Sequence, residues 1–397
     1  MRTPEGLRRL LIAMLLWLFA TAAIAAAPTP RIGVMTMQPG EIFFERFGHN
    51  AIVVDDPAAP RPVSYNFGFF DLDEPGFIGR FVQGDMRYRL VALPVQDDLA
   101  YYREVGRGVS IQWLDLSPGE AHAIADALAL NARPENARYR YDYFTDNCST
   151  RVRDALDRAL GGGLRKQLES RSAGDTFRSE AVRLASPATW MWLGFDVGLG
   201  PYADRPLSRW EDAFVPMRLA ASLREAKNTQ GRPLVASESI VLPHRLPPEP
   251  PDTQRRWWPW LLAGLALAMA IRWAARNRPR TLGAIALPFW ALCGVLGLVL
   301  AFLWCCTAHH SGWANRNLLL FSPLCLLMVP GAWAKVRGGT STRFHRAVRL
   351  VVAVGALVAL VLQLVPGAQV QAPWIALLLP IHAAFALSRH SRRMRTL

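Results

Sequence analysis

From residue 255 onward the chain carries 16 Lys and Arg and not one Asp or Glu. The same segment holds five apolar stretches, at 257–275, 282–304, 317–334, 347–366 and 373–388. A membrane-spanning helix needs about 17–25 apolar residues. Each stretch is near that length, the last being the shortest. Basic loops stay on the cytoplasmic side of a membrane, so the charges set a topology. Arg276, Arg278 and Arg280 separate the first two stretches, Lys335, Arg337, Arg343 and Arg346 the third and fourth, and Arg389, Arg392, Arg393 and Arg395 follow the fifth. The connections at 305–316 and 367–372 hold only Arg316 and belong outside, as does everything before 257. Trp257, Trp258 and Trp260 read as the interfacial belt of the first span. This pattern predicts an all-α bundle of about five transmembrane helices over 257–397.

The bundle also explains the net charge of +14. Of 45 Lys and Arg, 16 lie in 255–397, which leaves 29 basic against 31 acidic residues elsewhere. The excess is a topology signal and not a nucleic-acid footprint.

Residues 1–27 read as a secretory signal peptide. Arg2, Arg8 and Arg9 precede an apolar run from Leu10 to Ala20, and Ala23-Ile24-Ala25 or Ala25-Ala26-Ala27 supplies the small-residue cleavage site. Residues 28–227 then form an exported domain in an oxidising compartment, and the Pro-rich stretch 228–256 reads as a linker into the membrane. Cys293, Cys305, Cys306 and Cys325 belong to the membrane part or its edge, so Cys148 is alone in the exported domain. An unpaired exported thiol is either protected by burial or kept for use.

Cys148 stands in Asp146-Asn147-Cys148-Ser149-Thr150-Arg151. Beyond it Val152, Ala155, Leu156, Ala159 and Leu160 follow one helical face. Asp146 or Asn147 is the N-cap, and Gly161-Gly162-Gly163 ends the helix. The thiol thus occupies a helical first turn, where amide dipoles and a nearby imidazolium can lower a thiol pKa to roughly 3.5–7.5. Asp154 is spaced to pair with Arg151 and Arg158 along this helix.

A thiol nucleophile needs a base. His244 lies in the Pro-rich stretch. His122 lies beside the apolar stripe of a helix that Ser117-Pro118-Gly119-Glu120 caps. His49 opens a strand, and elimination favours it. Val63 to Phe67 forms the second strand of a hairpin with His49 to Val54, and Met86–Val95 and Gly108–Leu116 are further strands. Asn66, on the second strand, is the candidate for orienting the imidazole, by analogy with Cys-His-Asn sites; an ordinary strand-end asparagine is the alternative. Residues 164–225 read as mostly helical, with Trp190, Trp192 and Trp210 in the core. Cys305-Cys306 and His309-His310 lack the spacing of a zinc site, so no metal and no cofactor is assigned.

An early histidine strand followed by a later Asn-Cys helix resembles the circularly permuted papain-like thiol enzymes, including the lecithin:retinol acyltransferase group. A closer resemblance covers most of the chain. Phe47-Gly48-His49-Asn50-Ala51, Tyr65-Asn66-Phe67-Gly68 and Asp146-Asn147-Cys148-Ser149-Thr150-Arg151 with Asp154 are similar to the periplasmic domain of the Lnb-type lipoprotein N-acyltransferases, and the membrane part is similar too. The resemblance implies an α+β, permuted papain-like periplasmic domain anchored in the bacterial inner membrane. It implies acyl transfer from a phospholipid donor to the amine of a diacylglyceryl-cysteine lipoprotein, with Cys148 as nucleophile and His49 as base. An envelope hydrolase, either a phospholipase or a cell-wall peptidase or amidase, is the alternative on the same fold. A non-enzymatic exported binding domain is the other.

The charge pattern predicts that a reporter fused within 228–256 is active outside and one fused after Leu387 is active inside. A C-terminal fusion active only outside would refute the five-span count.

Overall fold

The computed structural model describes residues 28–252 and 256–388. The proposed signal peptide and the arginines at 389–395 lie outside the described residues.

A seven-stranded antiparallel sheet organises the N-terminal domain. Its strands are β1 (Arg31–Met37), β2 (His49–Asp55), β3 (Val63–Phe69), β4 (Arg87–Pro94), β5 (Val109–Leu114), β6 (Arg138–Arg140) and β9 (Val235–Leu242), in the order β6-β4-β3-β2-β1-β5-β9. The β2–β3 hairpin and the two further strands lie where the sequence placed them. β1 was not anticipated. Six of its seven residues are buried, so it lacks the in–out alternation that identifies a half-exposed strand. β9 corrects the reading of 228–256 as a linker: it pairs with β5 from Val109↔Leu242 to Leu114↔Val235. Its outer face is exposed, and only the partner strand shows that the segment is an edge. A two-stranded sheet joins β7 (Ser172–Thr176) to β8 (Pro206–Ser208).

Each face of the large sheet carries its own core. Ile32, Val34, Ile52, Val54, Phe67 and Leu90 meet residues of helices α3 (Pro118–Asn131), α4 (Cys148–Ala159) and α7 (Pro216–Glu225). On the other face Met35, Met37, Ala51, Val53 and Ile111 meet Val95 and Tyr102 of α2 (Val95–Glu104). α3 is capped as the sequence predicts, by Ser117 and Glu120. α4 buries Val152 and Leu156 completely and is capped by Asn147, whose Oδ1 accepts from the Thr150 amide at 2.9 Å. Two side-chain expectations fail. Arg151 turns back to Asp146, and Asp154 pairs with Arg153, because the loop carboxylate reaches Arg151 without bending the helix. Trp210 is buried, but Trp190 is 66% exposed.

The membrane part holds α8 (Trp258–Asn277), α9 (Pro279–Cys306), α10 (Val329–Val336), α11 (Arg343–Val361) and α12 (Ala372–Ala386). Three helices are long and apolar enough to cross a membrane, and a bent pair, His310–Leu319 with Pro323–Val336, would make a fourth. The third apolar stretch is therefore not one continuous helix. Pro323 and Pro330 lack the amide that would carry a helix through, and 3₁₀ turns at Arg316–Leu319 and Pro323–Met328 replace it. They pack on α9 at Gly297, where a Cβ would lie 2.3 Å from the Phe321 carbonyl oxygen. α12, at 15 residues, is shorter than a full span.

The two parts are joined by polar contacts. α6 (Thr189–Gly198) ends against the bundle with its last carbonyls unpaired by helix geometry. Asn315 Nδ2 donates to the Val197 and Gly198 carbonyls at 2.8 and 2.9 Å, and Asn317 Nδ2 to Val197 at 3.0 Å. Trp374 Nε1 donates to Asp196 Oδ2 at 2.6 Å. The loop after α9 meets α1 (Phe77–Gln83) through Ala308 N donating to the Gln83 carbonyl at 2.8 Å.

Gly297→Ala should lower the thermal stability of the detergent-solubilised chain by about 1–3 kcal/mol, the usual cost of overpacking. An unchanged unfolding temperature would contradict the close approach of α9 to the Phe321–Pro323 turn.

Candidate active site

β2 begins at His49 and α4 begins at Cys148, and the fold sets these two starts against each other. The Cys148 Sγ is approached by the backbone amides of Asn50, Ser149 and Cys148 itself. The first of these is the peptide nitrogen that joins His49 to Asn50, so the thiol lies at the opening of β2. Side chains lock the junction: Ser149 Oγ donates to Asn50 Oδ1 at 2.9 Å and to the Ala213 carbonyl at 2.7 Å, distances that suit a hydroxyl shared between the two, and Asn50 Nδ2 donates to Thr36 Oγ1 at 2.8 Å. Asn50 and Ser149 are completely buried, whereas Cys148 and His49 keep partial exposure. Cys148 and His49 are therefore held, partly exposed, against a buried and hydrogen-bonded frame.

Strand register brings in Asn66. It pairs with Ala51 across β2 and β3, so His49, two residues earlier on the same face, is its diagonal neighbour. The His49 Nε2 and Asn66 Oδ1 are 3.0 Å apart. The amide orientation follows from its other end, where Asn66 Nδ2 donates to Asp98 Oδ2 at 2.8 Å. Asp98, on α2, also accepts from Ser64 Oγ. A carboxylate accepts only, so the Asn66 oxygen must face the ring and Nε2 must carry the proton. Nδ1 is left as the free basic nitrogen.

The structure therefore brings together Cys148, His49 and Asn66. It sets the other histidines elsewhere. His122 bonds the Pro118 carbonyl on the surface, and His244 Nδ1 accepts the Gly108 amide at 3.0 Å. Sequence reasoning missed Asp98, Asn50 and Arg107. Asn50 and Ser149 each follow a residue already singled out, but nothing local signals that they bond each other. Arg107 is 3% exposed, with Nε donating to the Gln38 carbonyl at 2.8 Å and Nη1 3.4 Å from Glu45 Oε1. Its charge acts on both members of the pair. Burial and then Arg107 lower the His49 pKa to about 4. Burial raises the Cys148 pKa, while the three amides and Arg107 oppose the rise. At neutral pH the resting pair is neutral thiol and neutral imidazole. This corrects the expectation of a thiolate: the helical amides are present, but desolvation outweighs them.

Aromatic rings pack beside Cys148. Gly68, with φ +91°, has both the Cys148 Cβ and the Tyr141 ring 3.7 Å from where its own Cβ would stand. From Tyr141 a chain of rings runs two ways. One branch passes through Tyr88 (4.4 Å) and Phe70 (4.9 Å) to Phe44 (5.3 Å). The other passes through Tyr143 (6.0 Å) to His309 (5.9 Å) of the membrane loop. Large apolar side chains of the neighbouring segments are exposed: Ile42, Phe44, Ile78 and Trp190. Phe43 stacks on Trp190, and two residues further along α6 Trp192 meets Trp260 of α8. Among the described residues no group of His, Cys, Asp and Glu could hold a metal ion.

A membrane protein whose α+β domain sets Cys148 beside the start of the His49 strand and docks on its own apolar helices is the class these features define. Its N-terminal part, residues 22–185, matches the Lnb N-terminal periplasmic domain, and residues 257–393 match the Lnb transmembrane domain. The chain belongs to the Lnb-type family, whose domains point to a membrane-bound lipoprotein-modifying enzyme. No curated protein and no solved structure matches it.

Alkylation of Cys148 by iodoacetamide should be slow at pH 7 and should rise with pH through and beyond the ordinary thiol value of 9.0. The sign follows from burial: the neutral thiol is favoured, so more hydroxide is needed to expose the thiolate. Fast alkylation independent of pH between about 5 and 8 would indicate a preformed thiolate–imidazolium pair instead.

Proposed function

We propose that this chain transfers an acyl group from a phospholipid, through a thioester on Cys148, to the N-terminal amine of a diacylglyceryl-cysteine lipoprotein. The observation that carries this reading is the chain of aromatic rings from Cys148 to the membrane loop. A peptidase acting on soluble peptide has no use for a path of rings that ends on the membrane loop beside exposed apolar side chains, whereas an enzyme that takes lipid needs one. Helix-borne cysteine, strand-borne histidine and orienting asparagine fit a permuted papain-like arrangement, in the periplasm and anchored in the inner membrane.

The proposed steps assign a role to each of these residues. His49 Nδ1 takes the Cys148 proton as Sγ attacks the ester carbonyl carbon. Developing oxyanion charge is met by amides at the start of α4 and at Asn50. The ester C–O bond breaks, His49 returns the proton to the departing lysophospholipid oxygen, and a thioester remains. The acceptor amine then attacks the same carbon, His49 receives its proton, and the C–S bond breaks as the thiol is reprotonated. A neutral resting pair suits this cycle, because His49 enters each half-reaction as a free base. Its Nε2–H bond to Asn66 holds the ring in place, and Asp98 holds Asn66. The tail of a diacylglyceryl acceptor would fix its amine at the depth of the thioester, a proximity effect worth up to ~7–11 kcal/mol in well-oriented cases.

Cys148→Ala and His49→Ala should each abolish activity in a folded chain, and the double variant should be no worse than Cys148→Ala, since residues acting as a unit are non-additive. Asn66→Ala should be milder, losing less than the roughly 10²–10⁴-fold of a general base. The assay expresses the chain in a strain without its own lipoprotein N-acyltransferase and weighs the N-terminal peptide of an abundant lipoprotein. Gain of one acyl mass on the amine, dependent on Cys148, supports the proposal. Free fatty acid beside an unchanged diacyl peptide would identify a phospholipase, and no change in either would favour a peptidase or a binding domain.

A further inference from the structure

The second feature lies at the other end of the bundle. α9 is 28 residues long, about 42 Å at 1.5 Å per residue. Its last turn leads into the loop docked on α1, so its first turn marks the end distant from the N-terminal domain. There Gly283 of α9 abuts Lys335 of α10, with the Lys335 Cβ 2.9 Å from where a Gly283 Cβ would stand. Gly338 faces the Arg280 guanidinium, and Gly331 faces the His345 ring. Arg349 follows His345 by one turn of α11.

Lys335 is 9% exposed and Arg349 is 5% exposed. Neither side chain has a hydrogen bond or ion pair with any described residue, and Arg349 Nε is buried without a partner. The two charges are close enough to repel, and Arg346 adds a third to the same field. Buried cations are ordinarily paired. Among the described residues no carboxylate pairs with them: residues 255–397 contain no Asp or Glu side chain, and the acidic residues of the N-terminal domain are across the bundle.

We propose that Lys335 and Arg349 form a binding site for the phosphate of an anionic lipid headgroup, in the leaflet that bathes the domain-distal end of the bundle. The described residues supply no counter-charge, and phosphate accepts several charge-assisted hydrogen bonds at once. A lipid fits better than free phosphate because the neighbouring surface is apolar: Trp333, Phe344 and Leu350 are each at least half exposed beside the two cations. The site is distinct from the Cys148 site, and its test does not depend on activity.

The test uses the full chain in detergent, with bound lipid read by native mass spectrometry. The probes are phosphatidylglycerol, phosphatidylcholine and inorganic phosphate. The wild-type chain should retain phosphatidylglycerol over phosphatidylcholine at equal concentration. Lys335→Gln and Arg349→Gln should each weaken that retention about tenfold, the loss of one charge-assisted contact, while Arg343→Gln should not. Equal retention of the two lipids by the wild-type chain overturns the proposal without any variant. So does undiminished phosphatidylglycerol binding by a folded Lys335→Gln/Arg349→Gln chain. Displacement of the lipid by inorganic phosphate at comparable concentration overturns the lipid as the source of the phosphate.

Discussion

The structure depends on the seam where the first turn of α4 rests on the first residues of β2. Ser149 and Asn50 are 99 residues apart in the chain and 2.9 Å apart in space. Each is buried, so loss of either would leave a polar group unpaired, at a cost of about 1–3 kcal/mol. That cost is what makes the seam specific. The seam holds Cys148 against the His49–Asn50 peptide, and the same sheet carries Asn66 to the far side of the imidazole. The side chains of Asn50, Ser149 and Asn66 thus fix where Cys148 and His49 lie.

Desolvation governs the site's protonation. Helical amides and Arg107 favour a thiolate, and burial opposes them. Arg107 also disfavours a second cation at His49. Burial and Arg107 thus act together on the histidine and against each other on the cysteine. The neutral pair that results has its tautomer chosen two residues away, by Asp98 through Asn66. A charged carboxylate placed directly on the imidazole would favour the imidazolium; an interposed amide orients the ring without that pull.

The membrane part is more than an anchor in its contacts with the domain. Asn315, Asn317, Gln369 and Trp374 all reach the end of α6, and His309 stacks on Tyr143, which meets Tyr141. Gln369 and Trp374 come from the α11–α12 connection and the start of α12, whereas Asn315 and Asn317 come from the stretch where the apolar pattern breaks and the third span gives way to 3₁₀ turns. A chain that used this segment only to cross the bilayer would keep it helical, because backbone groups in lipid must otherwise be satisfied by protein. Here α9 and α6 cover it.

Much was legible in local pattern. The apolar stretches and basic breaks marked the membrane part, because the bilayer imposes its length and charge rules on any chain. The α3 and α4 caps were readable because capping involves neighbours three residues apart. Cys148 and His49 emerged by elimination from a composition with few alternatives. Tertiary structure decided what depends on distant partners. β1 gives no alternation because it is covered on both faces. β9 is a strand only because β5 lies beside it. Trp190 looks like core until the fold turns it outward, and Asp98 is one helical carboxylate among several until β3 presents Asn66 to it. The thiol's charge state was decided the same way: the sequence by itself determined that Cys148 would meet helical amides, and only the packed fold determined how much water it would lose.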